Sequence, residues 1–231
     1  TKKASSFIMK NPVQIPKEVE SVHEDGDIKL ILVNDREEIA DIIRNKVEEI
    51  VHELPSGSNQ QYSAFILGRY NHDRELVPRT FSAEVEARLN IQFKTIHGSK
   101  GLEADFIIIP NLSSDKYGFP SEIRDDPILE IVMTTPDNFK HAEERRLMYV
   151  ALTRARKEVT LIAPTTNMSP FVVEMLKDNS LETASLNSYE IPKICPKCER
   201  AVMVRRVSVH GPFLSCSSFP NCISTINLPA E

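Results

Sequence analysis

Four cysteines near the end of the chain are the side chains whose type and spacing most directly indicate chemistry. They follow the pattern C-x2-C, 17 residues, C-x5-C, and they are Cys195, Cys198, Cys216 and Cys222. Four thiolates can surround one Zn²⁺ in a closed tetrahedral site. A segment of about 40 residues also needs a stabilising metal site or cross-link, because it cannot bury enough hydrophobic core to fold alone. A disulfide framework and a redox-active C-x2-C remain alternatives, although the first requires an oxidising compartment.

The segment around the cysteines is basic, although the chain as a whole has a net charge of −5. Residues 190–231 carry five basic and three acidic side chains. The basic ones are Lys193, Lys197, Arg200, Arg205 and Arg206. A basic tail on an acidic body suits binding to a phosphate backbone, and a solvated basic loop is the alternative interpretation.

A second group of chemically useful side chains lies in residues 93–109, with the sequence FKTIHGSKGLEADFIII. Gly98 and Gly101 would let the backbone approach a ligand closely. The donors that suit a phosphate are His97, Ser99 and Lys100, and the acceptor that suits a ribose hydroxyl is Glu103. We expect this loop at the carboxyl ends of strands, where such sheets bind ligands. A simple polar turn is the alternative.

A third group lies in residues 143–156, with the sequence EERRLMYVALTRAR, which predicts a helix over about 142–156. Arg154 follows Leu147 by seven residues, so the two side chains should share one face of that helix. An arginine on the buried side of a helix needs an anionic partner. That partner is either a ligand or a carboxylate of the core.

Alternating strands and helices must position these side chains. Runs of apolar residues predict buried strands at 27–33, 62–68, 91–96, 105–110 and 158–163. Helices are predicted from an Asp35 cap with Glu38 to about 54, from Asp73, over 142–156, and from a Ser169 cap to about 177. Residues 1–27 are predicted to be irregular. Continuously apolar strands that alternate with helices indicate a parallel sheet covered on both faces, which is a three-layer α/β fold.

The composition is that of a soluble globular protein, with 41% hydrophobic and 26% charged residues. No apolar run approaches the roughly 20 residues of a membrane helix, and no signal peptide precedes the first strand. We therefore expect a cytoplasmic protein without a membrane partner. Because the chain begins with Thr1, we also expect it to be a piece of something longer.

Taken together, the second and third groups resemble motifs V and VI of UvrD/Rep-type superfamily 1 DNA helicases. The matching residues read T-x-H-x-x-K-G-L-E and then E-E-R-R-L-x-Y-V-A-x-T-R-A, in the order and at the separation of that family. Weaker similarity extends over residues 1–177 and is greatest to the helicase IV branch. The resemblance implies a RecA-like 2A domain over 1–180, before a linker at 181–192 and a zinc ribbon at 193–231.

The resemblance also implies roles for single residues. Arg154 would be catalytic and would reach the γ-phosphate of ATP across the cleft between two domains. Gly101 and Glu103 would lie at the nucleotide, and Thr95 and His97 would contact the DNA backbone. Two further positions match the family less firmly, and they are Arg69 and Tyr149.

The last cysteine pair lies in residues 211–222, with the sequence GPFLSCSSFPNC, which resembles the C-terminal ribbons of bacterial type IA topoisomerases. In that family the ribbon binds single-stranded DNA. The resemblance implies that Phe213 could stack on bases while Lys197, Arg200, Arg205 and Arg206 contact phosphates. For Phe213 and Phe219 alike, packing in the small ribbon core is the alternative.

The chain lacks a G-x-x-x-x-G-K-[ST] motif, so it has no phosphate cradle of its own. We therefore expect an N-terminal RecA-like domain of the same protein to hold ATP and Mg²⁺. The full-length protein would be an ATP-dependent DNA helicase or translocase moving 3′ to 5′, with Zn²⁺ in the ribbon and single-stranded or junction DNA as its partner. This chain alone should be inactive. A non-enzymatic DNA-binding adaptor and a protein-docking module are the alternative functions.

Overall fold

The structure is a computed structural model that describes residues 2–14, 26–55, 60–123, 139–183, 193–199, 201–209 and 211–228. Its larger part is a parallel sheet with the strand order β3-β2-β4-β5-β1-β6. The strands are β1 (Asp27–Val33), β2 (Tyr62–Gly68), β3 (Leu89–Thr95), β4 (Ala104–Ile109), β5 (Ala155–Pro164) and β6 (Glu182–Thr183). All pairings in this sheet are parallel, which confirms the predicted sheet.

Helices cover both faces of the sheet and complete the three predicted layers. They are α1 (Lys2–Ile8), α2 (Ile39–Glu53), α3 (Ala83–Arg88), α4 (Ala142–Leu152) and α5 (Pro170–Lys177). The helices α1, α4 and α5 share one hydrophobic cluster with the sheet, and α2 and α3 share the other. The strands β1, β2, β4 and β5 are therefore covered on both sides, which is why they are largely apolar, whereas β3 is an edge strand with exposed and half-buried residues.

Four elements differ from those predicted. A 3-10 turn over Asn71–Leu76 takes the place of the helix predicted from Asp73. Helix α1 lies where an irregular segment was expected, because Ala4, Phe7 and Ile8 recur at helical spacing and bury against the core. The short helix α3 was not predicted, and it buries only Val85. Helix α4 ends at Leu152 and not at 156, and the Thr153 hydroxyl donates to the helix carbonyls of Tyr149 and Val150 at 2.9 and 3.1 Å.

The two predicted helix caps have different outcomes. A 3-10 turn over Arg36–Glu38 precedes α2, and Asp35 makes no side-chain cap. The Glu38 carboxylate instead accepts from the Asn34 backbone N–H at 3.1 Å. Ser169 caps α5 as predicted, with its Oγ accepting from the Phe171 N–H at 3.2 Å and Pro170 in the first helical position.

The C-terminal part is a small antiparallel sheet of β7 (Met203–Ser208), β8 (Gly211–Cys216) and β9 (Thr225–Asn227). This ribbon is seated on the α/β domain. Val202 has no exposed surface and belongs to the hydrophobic cluster of α1, α4 and α5, with Ile194 and Val204 packed against it. The strand β6 lies inside the stretch 181–192 for which a linker was predicted, and the domain boundaries remain a prediction.

Among the described residues, no helix is both long enough and apolar enough to span a lipid bilayer.

Candidate functional site

The connection between β3 and β4 carries polar side chains to both edges of the sheet. Both strands pair in parallel with β2, so β3 ends at the carboxyl edge and β4 begins at the amino edge. Residues 96–103 therefore cross the sheet, and Ile96 anchors the crossing in the core with no exposed surface. The expectation that this whole loop lies at the carboxyl edge is correct for His97 but wrong for Gly101 and Glu103.

Arg154 lies at the amino edge, in the turn between α4 and β5. The predicted position on the buried face of a helix is wrong, because α4 has already ended. Its half-buried guanidinium donates to the carbonyls of Val150 and Leu102 at 3.1 and 3.2 Å, and to the Thr153 hydroxyl at 3.3 Å. Within the described part of the chain it forms no ion pair. Neutral acceptors orient this arginine without neutralising its charge.

Backbone and side-chain contacts join the two helicase-like stretches at this edge. The Ala104 N–H donates to the Arg154 carbonyl at 3.0 Å, next to the bond between Arg154 and Leu102. Gly101 has a φ of +82° and no atom within 4 Å of where a Cβ would stand, so its left-handed backbone requires glycine. The exposed Glu103 carboxylate lies beside it, 4.0 Å from the guanidinium of Arg156.

A polar cluster that the sequence did not reveal supports the same edge. The Asp105 carboxylate accepts from Arg156 Nε at 3.2 Å, and from the Ser63 N–H and hydroxyl at 2.9 and 2.8 Å. Burial alone would raise the pKa of Asp105, but the Ser63 and Arg156 donors outweigh it and hold the pKa below its usual range. Asp105 could have been suspected from sequence, because it is a carboxylate inside an otherwise apolar strand.

The carboxyl edge holds the residues assigned to DNA. The Thr95 hydroxyl accepts from the Gly98 N–H at 3.1 Å, and His97 is exposed. Arg69 follows β2 at this edge and forms a two-pronged ion pair with Glu144, in which Nη2 and Oε1 are 2.6 Å apart. Arg69 therefore joins β2 to α4. Tyr149 is half-buried and packs against the core cluster.

The four cysteines of the ribbon come together at one point. Their sulfur atoms lie within 4.8 Å of one another, with 3.8 Å between Cys195 and Cys222 and 3.7 Å between Cys198 and Cys216. Four sulfurs at about 2.3 Å from a tetrahedral Zn²⁺ would be about 3.8 Å apart, whereas a disulfide needs about 2.05 Å. The arrangement fits zinc and does not fit disulfides.

The pKa values of two of these thiols also favour a zinc site over disulfides. Burial alone would raise the pKa of both Cys195 and Cys216. At Cys195, backbone N–H groups of Cys198 and Lys197 outweigh burial and lower the pKa to about 6. At Cys216 the neighbouring thiols add to burial, and the pKa rises to about 12. Four thiolates can therefore share this buried point only around a cation.

The DNA-binding candidates of the ribbon fall on different surfaces. Arg206 pairs in register with Phe213, and Phe213 pairs with Asn227, so these three side chains share one face of the small sheet. Arg205 lies on the opposite face, and the exposed Lys197 lies in the turn between the first two cysteines. Arg200 lies outside the described residues. Phe219 is 59% exposed, which rules out the alternative that it packs in the ribbon core.

Two family models match the chain. Residues 79–166 match the UvrD-like helicase C-terminal domain, and residues 193–231 match the topoisomerase DNA binding C4 zinc finger. The chain is 36% identical over 181 residues, or 78% of its length, to DNA helicase IV of Escherichia coli (strain K12). It spans 25% of the length of that relative.

A solved structure is similar as well. It is the C-terminal domain of a possible DNA helicase from Lactobacillus plantarum WCFS1, at 18% sequence identity and a TM-score of 0.47. The similarity covers 79% of this chain and 96% of that one.

Proposed function

We propose that this chain, a UvrD-like helicase C-terminal domain with a topoisomerase-type zinc ribbon, supplies half of the ATP cleft and half of the DNA track of an ATP-dependent DNA helicase that moves 3′ to 5′. The observation that carries the proposal is the meeting of two distant stretches at the amino edge, where Arg154 donates to the carbonyl of Leu102 between Gly101 and Glu103.

Arg154 is the residue to which we assign the catalytic role. Negative charge spreads over the transferred γ-phosphoryl group in the transition state, and a planar guanidinium stabilises it well. Hydrogen bonds to carbonyls hold Arg154 in place before ATP arrives, so little reorganisation is needed at the moment of reaction. The other RecA-like domain would supply the phosphate cradle and Mg²⁺, because this chain has no cradle motif.

In the proposed motor, residues 96–103 directly connect the nucleotide site to the DNA-backbone site. Gly101 and Glu103 would contact the nucleotide at the amino edge, and Thr95 and His97 would contact the DNA backbone at the carboxyl edge. Ile96 is closely packed in the core between the two sites, so a shift of this segment at the nucleotide would move with its packed neighbours toward the DNA contacts. Such a connection is suited to coupling ATP hydrolysis to a step along DNA.

The ribbon is assigned to single-stranded DNA. The assignment is supported by the register pair of Arg206 and Phe213 on one face, because a cation suits a phosphate and a neighbouring aromatic ring suits a base. Zinc would hold that face together through the four cysteines.

The test is the DNA-stimulated ATPase activity of the complete protein with Arg154→Ala, with ATP binding measured separately. Turnover should fall by a factor on the order of 10³ while ATP still binds. Arg146→Ala is the matched control, because Arg146 lies on α4 and pairs with Glu143 at 3.0 Å. Unchanged turnover in Arg154→Ala would show that Arg154 is structural and would overturn its catalytic role. Absence of ATP turnover in the native complete protein would instead favour a non-enzymatic DNA-binding adaptor.

A further inference from the structure

We infer that Tyr70, His72 and Tyr117 form a platform on which bases of single-stranded DNA stack. The inference rests on the proposed function, because it gives the DNA track of this domain a site for bases beside its contacts to the backbone.

The platform lies at the carboxyl edge, close to Thr95. Tyr70 and His72 follow the end of β2, and Gly68 at that end pairs in register with Thr95. The Ile96 N–H donates to the Gly68 carbonyl at 2.9 Å, which joins the two chain segments just beyond their strands. Tyr117 comes from the segment after β4, which is the neighbour of β2 on its other side.

The stacked rings of Tyr70 and His72 form a short column, and Arg69 and Tyr117 flank it. The guanidinium carbon of Arg69 lies 4.7 Å from the ring centre of Tyr70. The rings of Tyr70 and His72 are stacked, with centres 5.2 Å apart and planes 11° apart. Tyr117 stands at 81° to Tyr70 and at 89° to His72, with its centre 6.0 and 5.4 Å from theirs, so it lies beside the stacked pair, and His72 is exposed.

The column is held in position before any ligand binds. The Tyr70 hydroxyl is 2.5 Å from the Ser121 Oγ, and the Tyr70 N–H donates to the Asp73 carboxylate at 2.9 Å. Asp73 itself is fully buried and accepts from the Asn111 amide at 3.3 Å. A rigid base supports side chains that are nevertheless exposed, since His72 faces solvent and Tyr117 is 46% exposed.

Cations lie on two sides of the exposed rings. The Lys116 ammonium is 5.4 Å from the ring centre of Tyr117. A cleft of about 750 Å³ begins at His72 and is lined by Arg74 and Arg79, with Glu75 as its acidic residue. Aromatic rings beside a basic groove are the combination by which proteins hold single strands, with rings contacting bases and cations following the phosphates.

The occupant has to be single-stranded, because bases inside a duplex are already stacked on their neighbours. The exposed imidazole at the end of the preformed column can stack only on a base that is no longer stacked on an adjacent base. The platform therefore suits the strand that a helicase holds during unwinding.

The experiment compares two labelled oligothymidines of the same length by fluorescence anisotropy at one salt concentration, one with bases and one with an abasic stretch. The 231-residue chain loaded with zinc is used in four variants: His72→Ala, Tyr117→Ala, and the ring-preserving His72→Phe and Tyr117→Phe. The control is His52→Ala, at an exposed position in the last turn of α2.

Each alanine variant should bind the base-containing strand at least about 5-fold more weakly, while its affinity for the abasic strand changes little. Each phenylalanine variant should keep most of the native affinity. Equal losses on both strands, or no loss on either, would overturn the platform. Neither result would affect the role of Arg154, which is measured by ATP turnover and not by affinity for bases.

Discussion

The buried Glu158 shows how single residues make the stability of this domain depend on pH. Its carboxylate lies 2.6 Å from the Lys29 ammonium and 2.8 Å from that of Lys46, which has no exposed surface. Burial alone would raise the pKa of Glu158, but the two lysines outweigh it and lower the pKa. A lowered pKa means that the pair stabilises the fold above the pKa of the unfolded chain, about 4.3, and loses this contribution as the pH falls further.

We predict that Glu158→Gln lowers the free energy of unfolding at pH 7 by about 1–3 kcal/mol, because the buried Lys46 ammonium loses one of its two carboxylate partners and keeps only Glu49 at 2.7 Å. The variant should also lose stability less steeply than the native chain below about pH 4.3. Urea unfolding at a series of pH values measures both effects. Glu37→Gln, at an exposed position before α2, serves as the control. A parallel acid dependence in Glu158→Gln would show that other carboxylates control it.

At the residue scale, the sequence predicted the types of the functional side chains better than their surroundings. Arg154 and Glu103 were identified through the helicase motifs, and both lie at one edge of the sheet. The predicted helical position of Arg154 was wrong, because the helix was predicted to continue to about 156, four residues beyond the end of α4. Asp105 and Arg156 were missed since their contact joins strands that are far apart in sequence.

At the scale of elements, the cap of α5 is a test of how a helix is fixed to the sheet. The Ser169 hydroxyl accepts from the Phe171 N–H and donates to the Phe119 carbonyl at 2.5 Å, and Ser169 has no exposed surface. Ser169→Ala should lower the free energy of unfolding by about 1–3 kcal/mol, because both groups lose a buried partner.

The matched control is Ser82→Ala, which removes the exposed cap of α3 with its longer bond of 3.4 Å to the Val85 N–H. Chemical denaturation of both variants measures the difference. Equal losses would show that burial adds nothing to the cap of α5.

Strands and helices could be predicted from the sequence where their hydrophobic pattern was long and unambiguous. The strands β1 and β2 were placed correctly because fully buried parallel strands are continuously apolar. The short helices α1 and α3 were not, since six or seven residues carry too little periodicity. The predicted Asp35 cap of α2 does not form, because a 3-10 turn that includes Glu38 lies between Asp35 and the helix.

At the scale of the whole molecule, the ribbon and the α/β domain share hydrophobic core through Val202. We predict that removing zinc with a chelator under reducing conditions unfolds the ribbon, lowers the melting temperature of the α/β domain slightly, and weakens binding to single-stranded DNA. Cys216→Ser should behave like the chelated native chain. Unchanged melting and unchanged DNA affinity after verified zinc loss would contradict both the metal site and its role.

The presence of the two parts was predicted from sequence, and their likeness to UvrD-like helicases and topoisomerase ribbons is confirmed. Their contact was not predicted. Val202 lies between two cysteine pairs, so the sequence alone gives no reason to place its apolar side chain outside the ribbon core. Only the folded chain brings it against the cluster of α1, α4 and α5.

The central claim is most directly tested by ATP-dependent displacement of a labelled strand by the complete protein, with native and Arg154→Ala forms on duplexes that carry a 3′ or a 5′ single-stranded tail. We predict displacement by the native protein on the 3′-tailed duplex, and its loss in Arg154→Ala although DNA is still bound. Absence of ATP-dependent displacement by the native protein on either duplex, or full displacement by Arg154→Ala, would contradict the account.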